Sequence, residues 1–163
     1  MTRLPSLGPH GEGWVLIQGV LLVLVAAAGW SLGPDWSGPL RLFGIVAGIA
    51  LMGGGIVLAV RGATDLRGAL TPLPRPRADA ELVDTGVYAL VRHPIYGGLI
   101  LVAFGWALVQ ASIIAAGLTA GLAAFLFLKS AREEAWLEQR YPGYAGYRAR
   151  TRRLIPWPSR PRR

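Results

Sequence analysis

Apolar residues near the start of the chain fall into two long runs separated by a short polar segment. The first run covers about residues 14–32 and the second about residues 42–60, each flanked by charged side chains. A helix that crosses a bilayer needs roughly 20 predominantly apolar residues, and both runs reach that length. The pattern therefore predicts two transmembrane helices within residues 1–60.

A third apolar stretch, from Pro94 to Leu128, contains no Asp, Glu, Lys or Arg. It is too long for one span and long enough for two short ones. One long tilted helix is the alternative, but it would leave too much apolar surface in water. A tight turn near Gln110–Ser112 fits better, since the Ser112 side chain can cap the next helix. The prediction is an all-α integral membrane protein with about four transmembrane helices, the last two forming a hairpin.

Glycines recur inside these runs at a spacing of four. Gly44 and Gly48 form one such pair, and Gly117 and Gly121 form another. Small residues allow helix backbones to approach closely in lipid, where packing drives association. Glycine is also common in membrane helices without any contact role. Helix contact is the favoured interpretation, either within one chain or between the chains of a homo-oligomer.

The composition agrees with a membrane protein and limits the chemistry. Hydrophobic residues make up 53% of the chain and charged residues 16%, whereas soluble domains have about 25% charged residues. The chain has no cysteine and two histidines. Disulfides and thiol nucleophiles are excluded, and no metal site is expected.

The net charge of +8 is concentrated toward the end of the chain, where ten of the 17 basic residues follow Leu128. Such a tail can indicate nucleic-acid binding, but next to apolar runs it favours a bilayer with anionic headgroups. The connection over residues 61–92 is also rich in arginine, whereas residues 33–39 contain no basic residue. Basic loops remain in the cytoplasm, so we expect both termini to be cytoplasmic. The arginine-, alanine- and glycine-rich composition suggests a GC-rich bacterial genome, so we expect a bacterial inner membrane.

Four regions follow from this pattern. Residues 1–60 hold the first two helices, and residues 61–93 form a cytosolic connector. Residues 94–128 form the hairpin, and residues 129–163 form a cytosolic helix followed by a basic tail. The two ends of the hairpin must meet, which brings the Arg92–His93 pair close to the segment that begins at Lys129.

The segment "GVYALVRHPIYGG" places polar chemistry at the start of the hairpin. Pro94 suits the first turn of a helix, where its missing N–H group has no consequence. Arg92 and His93 then lie at a helix N-terminus, where unpaired N–H groups attract carboxylates or phosphates. The alternative is that both residues only mark the membrane boundary.

Glu133 and Glu134 follow the last span as adjacent carboxylates. Neighbouring helical residues point about 100° apart, so we expect one to face the third helix and the other to meet solvent, Arg132 or Arg140. The inward carboxylate can accept a ribose diol or an ammonium group. A solvated helix face is the alternative.

Tyrosines at positions 141, 144 and 147 continue this region. Tyrosine with arginine is typical of membrane interfaces, and it also suits stacking on an adenine or a sulfonium. The chain has no GxGxxG after a strand, no GxSxG and no phosphate-binding loop.

Two motifs together resemble a known family. "ELVDTGVYALVRHPIYGG", followed by "REEAWLEQRYPGYAGYRARTRRLIPW", is similar to the isoprenylcysteine carboxyl methyltransferase family. Its wider group includes phospholipid N-methyltransferases and methanethiol S-methyltransferases. The resemblance spans roughly residues 80–157. It implies an integral membrane enzyme that uses S-adenosylmethionine, with a cytosolic cofactor pocket closed by the C-terminal segment. A lipophilic acceptor would enter between the transmembrane helices.

The resemblance also implies site residues. The family's cofactor contacts fall on Leu82, Val83, Tyr88, His93, Pro94, Ile95, Tyr96 and Glu133. Arg92, Glu134 and Tyr147 complete the expected cofactor site. The acceptor-side basic residue falls on Lys129, where the prenylcysteine enzymes carry arginine, and Arg132 is added to the acceptor site. Methyl transfer from a sulfonium depends on in-line placement, so no residue has to be a nucleophile.

The predicted function is transfer of a methyl group from S-adenosylmethionine to a small lipophilic acceptor. An isoprenylcysteine-like carboxylate, a lipid, an amine and a thiol all remain open. Two alternatives belong to other classes. Sterol reductases share a related C-terminal motif and use NADPH, but they are much larger. A non-catalytic membrane binding or scaffold protein is the second.

Overall fold

Five α-helices account for most of the residues that the structure describes. The computed structural model describes residue 5 and residues 7–31, 37–66 and 81–155. The helices are α1 (Glu12–Ser31), α2 (Gly38–Leu66), α3 (Pro94–Gln110), α4 (Ile113–Arg140) and the short α5 (Tyr144–Arg150). A 3-10 turn over Gly86–Ala89 precedes α3. The described residues contain no named strand, so the predicted all-α fold class is confirmed.

Within the described ranges, three helices are long and apolar enough to cross a membrane, and α3 is a shorter apolar helix of 17 residues. Large apolar side chains on α1, α2 and α4 are exposed outside the bundle, such as Val23, Phe43 and Ile114. In water these faces would be strongly unfavourable, whereas in a bilayer they meet lipid. The chain is therefore an integral membrane protein.

The hairpin turn has the predicted capping residue. Ala111 adopts a left-handed conformation with φ of 52° and ends α3. The Ser112 hydroxyl then accepts a hydrogen bond of 3.2 Å from the backbone N–H of Ala115 at the start of α4. This bond satisfies one of the free N–H groups at the helix start and fixes where the chain reverses.

The α2–α3 contact is built on glycines spaced seven residues apart, which is close to two helical turns. A Cβ atom added at Gly48 would lie 2.6 Å from the carbonyl oxygen of Gly105, and one at Gly55 would lie 2.6 Å from that of Gly98. The two backbones therefore touch. Of the predicted GxxxG pairs, Gly44 and Gly48 are buried. A Cβ at Gly117 or Gly121 would meet no described atom within 4 Å.

Replacing Gly55 with alanine is expected to destabilise the α2–α3 pair by about 1–3 kcal/mol, the usual cost of overpacking a core. The obstacle is backbone, so it cannot move aside as a flexible side chain can. Gly54→Ala is the matched control, because a Cβ there meets nothing within 4 Å and alanine favours the helix. Thermal unfolding in detergent should show a lower midpoint for Gly55→Ala alone. Equal midpoints for the two variants would contradict this account of the contact.

The third helix occupies the centre of the bundle, since α1, α2 and α4 all pack against it. Its neighbour α2 extends beyond the predicted end of the second span, reaching Leu66. There the Asp65 carboxylate accepts a 2.8 Å hydrogen bond from the N–H of Val87. The 3-10 turn is thus hydrogen-bonded to the end of α2. Residues 67–80, part of the predicted connector, and residues 156–163, part of the basic tail, lie outside the described residues.

Residues 151–155, here called the C-terminal strap, lie beside the segment that leads into α3. Val91 and Arg152 form a parallel bridge. The backbone N–H of Arg92 donates to Arg152 at 2.8 Å, and that of His93 donates to Arg153 at 2.9 Å. The strap therefore fixes the start of α3 from residues about 60 positions later in the sequence.

Candidate active site

The start of α3 is organised around His93, which is the N-cap residue. Pro94 follows within the first turn of the helix, as the sequence predicts. The proline lacks an N–H group, so its place at a helix start leaves no donor unpaired. The His93 side chain is buried, with 7% of the residue exposed, so its ring can meet only what the neighbouring elements present to it.

Both glutamates of α4 reach the His93 ring. Nε2 lies 3.2 Å from Oε1 of Glu134, and Nδ1 lies 3.5 Å from Oε2 of Glu133. The prediction that only one glutamate faces the third helix is wrong. The imidazole has its two nitrogens on different edges. Glu133 approaches the edge with Nδ1 and Glu134 approaches the edge with Nε2, so both glutamates contact one ring. A neutral imidazole can donate to only one of them.

Glu134 is the centre of an ionic cluster. Its carboxylate accepts from Nε of Arg92 at 2.8 Å and from a terminal nitrogen of Arg153 at 2.7 Å. Only 2% of its side chain is exposed. The arginines that meet it come from the residue before His93, from the strap and, at 3.9 Å, from Arg148 of α5, where the sequence predicts Arg132 or Arg140. Glu134 therefore holds the strap to α3 and α4.

Arg92 is a predicted cofactor contact, and its guanidinium is engaged within the protein. Besides Glu134, it donates to the carbonyl oxygen of Arg148 at 3.1 Å and to the carbonyl oxygen of Thr151. These acceptors belong to α5 and to the strap. Arg92 therefore joins α5, the strap and the start of α3, which is a positioning role for the site around His93.

Glu133 differs from its neighbour. Its side chain is 24% exposed, yet its Oε2 atom is buried without a hydrogen-bond partner among the described residues. The Tyr144 hydroxyl and the Nε atom of Arg132 are buried and unpartnered in the same way. Buried polar atoms in native proteins are almost always satisfied. A fourth such atom, Nε1 of Trp106, lies against Gly29 of α1. Near His93, Glu133 and Tyr144 are therefore the residues whose unpartnered atoms a polar ligand would satisfy.

Tyrosine hydroxyls connect the 3-10 turn with α2 and α5. Tyr88 donates to the carbonyl oxygen of Gly62 at 3.2 Å, and Tyr147 donates to that of Tyr88 at 2.8 Å. Burial is the main cause that raises the pKa of Tyr88, of Tyr144 and of Tyr147 above the ordinary value. All three phenols are neutral donors at physiological pH. The hydroxyls of Tyr88 and Tyr147 hold the wall of the site in place, and that of Tyr144 has no hydrogen-bond partner in the described part of the chain.

Tyr96 separates the His93 region from a second polar group. Its ring is parallel to the His93 ring, with centroids 5.5 Å apart. The ammonium of Lys129 lies 5.1 Å from the Tyr96 centroid, on a residue that is only 1% exposed. Nζ donates a 2.6 Å hydrogen bond to Oε1 of Gln18 on α1. The Tyr96 ring thus lies between Lys129, the predicted acceptor residue, and His93, a predicted cofactor residue.

The remaining predicted residues have less defined surroundings. Arg132 stacks on the Trp136 ring at 4.3 Å from its centroid. Leu82 and Val83 are half-buried in the segment before the 3-10 turn. Pro94 packs against Gly62 of α2, and Ile95 does the same. Their roles remain predictions.

Two residues of this region were not among the predicted site residues. Tyr144 lies three positions before Tyr147, and the shared helical face is a signal that could have selected it. Gln18 is the one side chain with an amide, a hydroxyl or a charge between Trp14 and Trp30. A polar residue inside an apolar span is a reason to suspect function, and only the fold shows that its partner is Lys129.

The bundle and its buried ionic cluster define a class: an α-helical membrane protein with a polar site at the start of a central helix. A family model described as phospholipid methyltransferase matches residues 43–143. Because the match covers more than half of the chain, the chain belongs to the phospholipid methyltransferase family, and the family identifies it as a membrane methyltransferase. No curated protein matches the chain.

The matched residues include most of α2, all of α3 and α4, and with them His93 and both glutamates. The wider group that the sequence motifs predict is therefore confirmed. The likeness to isoprenylcysteine carboxyl methyltransferases remains a resemblance. Helix α1 and the strap lie outside the matched residues.

Proposed function

We propose that this protein transfers a methyl group from S-adenosylmethionine to a small lipophilic acceptor within the membrane. The observation that carries the proposal is the buried, unpartnered Oε2 atom of Glu133 beside His93, in a chain of a methyltransferase family. The Tyr144 hydroxyl is a second unpartnered atom of the same region. Both suit a ligand that carries hydroxyl and charged groups.

The bound cofactor would supply a methyl group on a sulfonium, whose carbon–sulfur bonding pair stays on sulfur as the acceptor's lone pair forms the new bond. Glu133 would accept a ribose hydroxyl or an ammonium hydrogen bond, and Tyr144 would donate one. Glu134 and Arg92 hold the strap beside the site and limit the entry of water. The protein's contribution is chiefly to orient the two reactants.

The acceptor would enter between the helices and meet the cofactor near Tyr96. A carboxylate or thiolate acceptor needs no base, whereas an amine must lose a proton. Glu133 and His93 are the residues placed to take that proton. We further propose a bacterial inner membrane with both termini in the cytoplasm. The orientation is supported by the excess of arginine in residues 61–92 and 129–163, since basic segments favour the cytoplasmic side.

Calorimetric titration of the detergent-purified protein tests the proposal directly. S-Adenosylmethionine and S-adenosylhomocysteine should bind saturably, and NADPH should not. Binding of NADPH alone would move the protein to the reductase class. Binding of none of the three by the folded protein would support a non-catalytic membrane protein instead.

A further inference from the structure

One face of α3, which carries Gly97 and Phe104, lies between the faces that contact other helices. The two residues are seven positions apart, so they share a face two turns along the helix. Gly98 points about 100° to one side and packs on the α2 backbone, and Ala103 points about 120° to the other side and packs with α1 and α4. Phe104 is 43% exposed, so this face opens to the surroundings of the bundle.

The strap occupies the end of this face that is nearer to His93. A Cβ atom at Gly97 would overlap the carbonyl oxygen of Leu154, so the strap backbone lies directly on α3 there. Gly97 follows Pro94 by three residues, which is about 4.5 Å along the helix. The strap therefore does not stop at the first residue of α3 but continues along its first turn.

That turn lies within the apolar layer of the membrane. Helix α3 has 17 residues and is about 26 Å long, whereas the hydrocarbon core of a bilayer is about 30 Å thick. A helix that crosses the layer and is shorter than the layer lies inside it along its whole length. The strap residues on Gly97, namely Leu154 and the following Ile155, are therefore at the level of the acyl chains.

The side chains of the strap fit that position. Ile155 is 61% exposed and Leu154 is half-buried, so both can meet acyl chains. The guanidinium of Arg153 lies 4.6 Å from the centroid of the Phe127 ring, which is on the outer face of α4 and is itself half-exposed. Basic groups that remain near the headgroups beside apolar side chains that enter the lipid are typical of a segment at the membrane surface.

Arg152 adds an exposed positive charge at the same place. Its neighbours Arg148, Arg150 and Arg153 each pair with a carboxylate. Arg152 forms no ion pair with a carboxylate of the described residues. A guanidinium binds phosphate through paired N–H groups, and anionic lipids attract basic residues at the membrane surface. A lipid phosphate is therefore the ligand that suits Arg152.

We propose that the strap inserts into the leaflet beside α3, with Leu154 and Ile155 among the acyl chains and Arg152 on the phosphate of an anionic lipid. The strap accepts hydrogen bonds from the backbone N–H groups of Arg92 and His93. The leaflet therefore fixes the start of α3 through the strap. The inference concerns contact with lipid and does not depend on the proposed function.

A fluorescent label at position 155 tests the insertion. The chain has no cysteine, so Ile155→Cys provides a single attachment site for the dye NBD. The labelled full chain is reconstituted into vesicles of phosphatidylcholine and phosphatidylglycerol. The label should be quenched by phosphatidylcholine that carries a spin label near the top of its acyl chain, and it should be protected from iodide in the water.

Two further labelled variants give the reference results for lipid and for water. Leu16→Cys places the label on a residue that is 71% exposed, near the start of α1, and the spin-labelled lipid should quench it. Gln139→Cys places it on an exposed residue about 7.5 Å beyond Glu134 on α4, and iodide should quench it. If the label at position 155 behaves as in Gln139→Cys, the strap lies in water and the proposal is overturned.

Hydrogen exchange tests the role of the anionic lipid. In the wild type, the N–H groups of Arg92 and His93 should exchange about fivefold more slowly in vesicles with phosphatidylglycerol than in phosphatidylcholine alone, as one arginine beside anionic headgroups provides. Arg152→Gln should remove this difference. Arg61→Gln, which removes an exposed charge of α2, should retain it. Equal exchange in the two kinds of vesicle, or an equal loss in both variants, would contradict the proposed contact of Arg152.

Discussion

Glu134→Gln is expected to lower the free energy of unfolding by about 3–5 kcal/mol, the range for removing one partner of a buried ion pair. The change leaves Arg92 and Arg153 facing a neutral amide, although both now donate to the carboxylate at 2.8 and 2.7 Å. The Arg92 side chain is itself 7% exposed and cannot turn into water without breaking its hydrogen bonds with Thr151 of the strap. Thermal unfolding in detergent should show a large decrease in the midpoint.

Glu133→Gln provides the internal comparison for that result. This carboxylate lies 3.5 Å from the His93 ring but lacks a hydrogen-bond partner on Oε2 among the described residues, so its loss should cost less stability than Glu134→Gln. Affinity for S-adenosylhomocysteine should fall at least about tenfold, since a charge-assisted hydrogen bond is lost. The assignment of different roles to the two glutamates fails if both variants lose stability equally, or if Glu133→Gln binds normally.

Gly97→Ala is expected to detach the strap while the helices remain folded. A Cβ atom at Gly97 would overlap the carbonyl oxygen of Leu154, and the strap cannot remain paired with Val91 if it moves away. Trypsin should then cleave after the strap's arginines faster than in the wild type. Affinity for S-adenosylhomocysteine should fall about tenfold, because the strap no longer fixes the backbone of Arg92 and His93 at the start of α3.

The control for the strap variant is Gly146→Ala, on α5. A Cβ at Gly146 meets nothing within 4 Å, so cleavage and affinity should match the wild type. Circular dichroism of both variants should show unchanged helix content. If Gly97→Ala resists trypsin as the wild type does, the strap does not depend on this close contact.

Local features of this fold follow from the sequence. Continuous apolar runs are enough to predict spanning helices, because the bilayer fixes their length. The turn at Ser112 is equally local, since its cap involves residues three apart. Pro94 is another local signal, because proline is favoured in the first turn of a helix and α3 begins there.

Contacts between distant segments could not be derived in this way. The glycines that join α2 and α3 are spaced by seven on both helices, a period that the four-residue GxxxG rule does not select. The strap reaches the start of α3 through backbone hydrogen bonds, and backbone pairing leaves no side-chain pattern. For the same reason the sequence could not show that Arg153 would take the place expected for Arg132 or Arg140 beside Glu134.

Two neighbours of the central helix α3, namely α2 and α4, extend past its first residue. Beyond the level of His93, α4 continues from Glu134 to Arg140, about 9 Å further. On the other side α2 continues from Gly62 to Leu66, about 6 Å further. Both neighbours therefore extend past the start of α3, and the strap is hydrogen-bonded to that start. For the proposed reaction, a polar cofactor would descend to the edge of the hydrocarbon layer, and the acceptor would react without leaving its leaflet. Delivery of the acceptor would then depend on lateral diffusion in the membrane rather than on extraction from it.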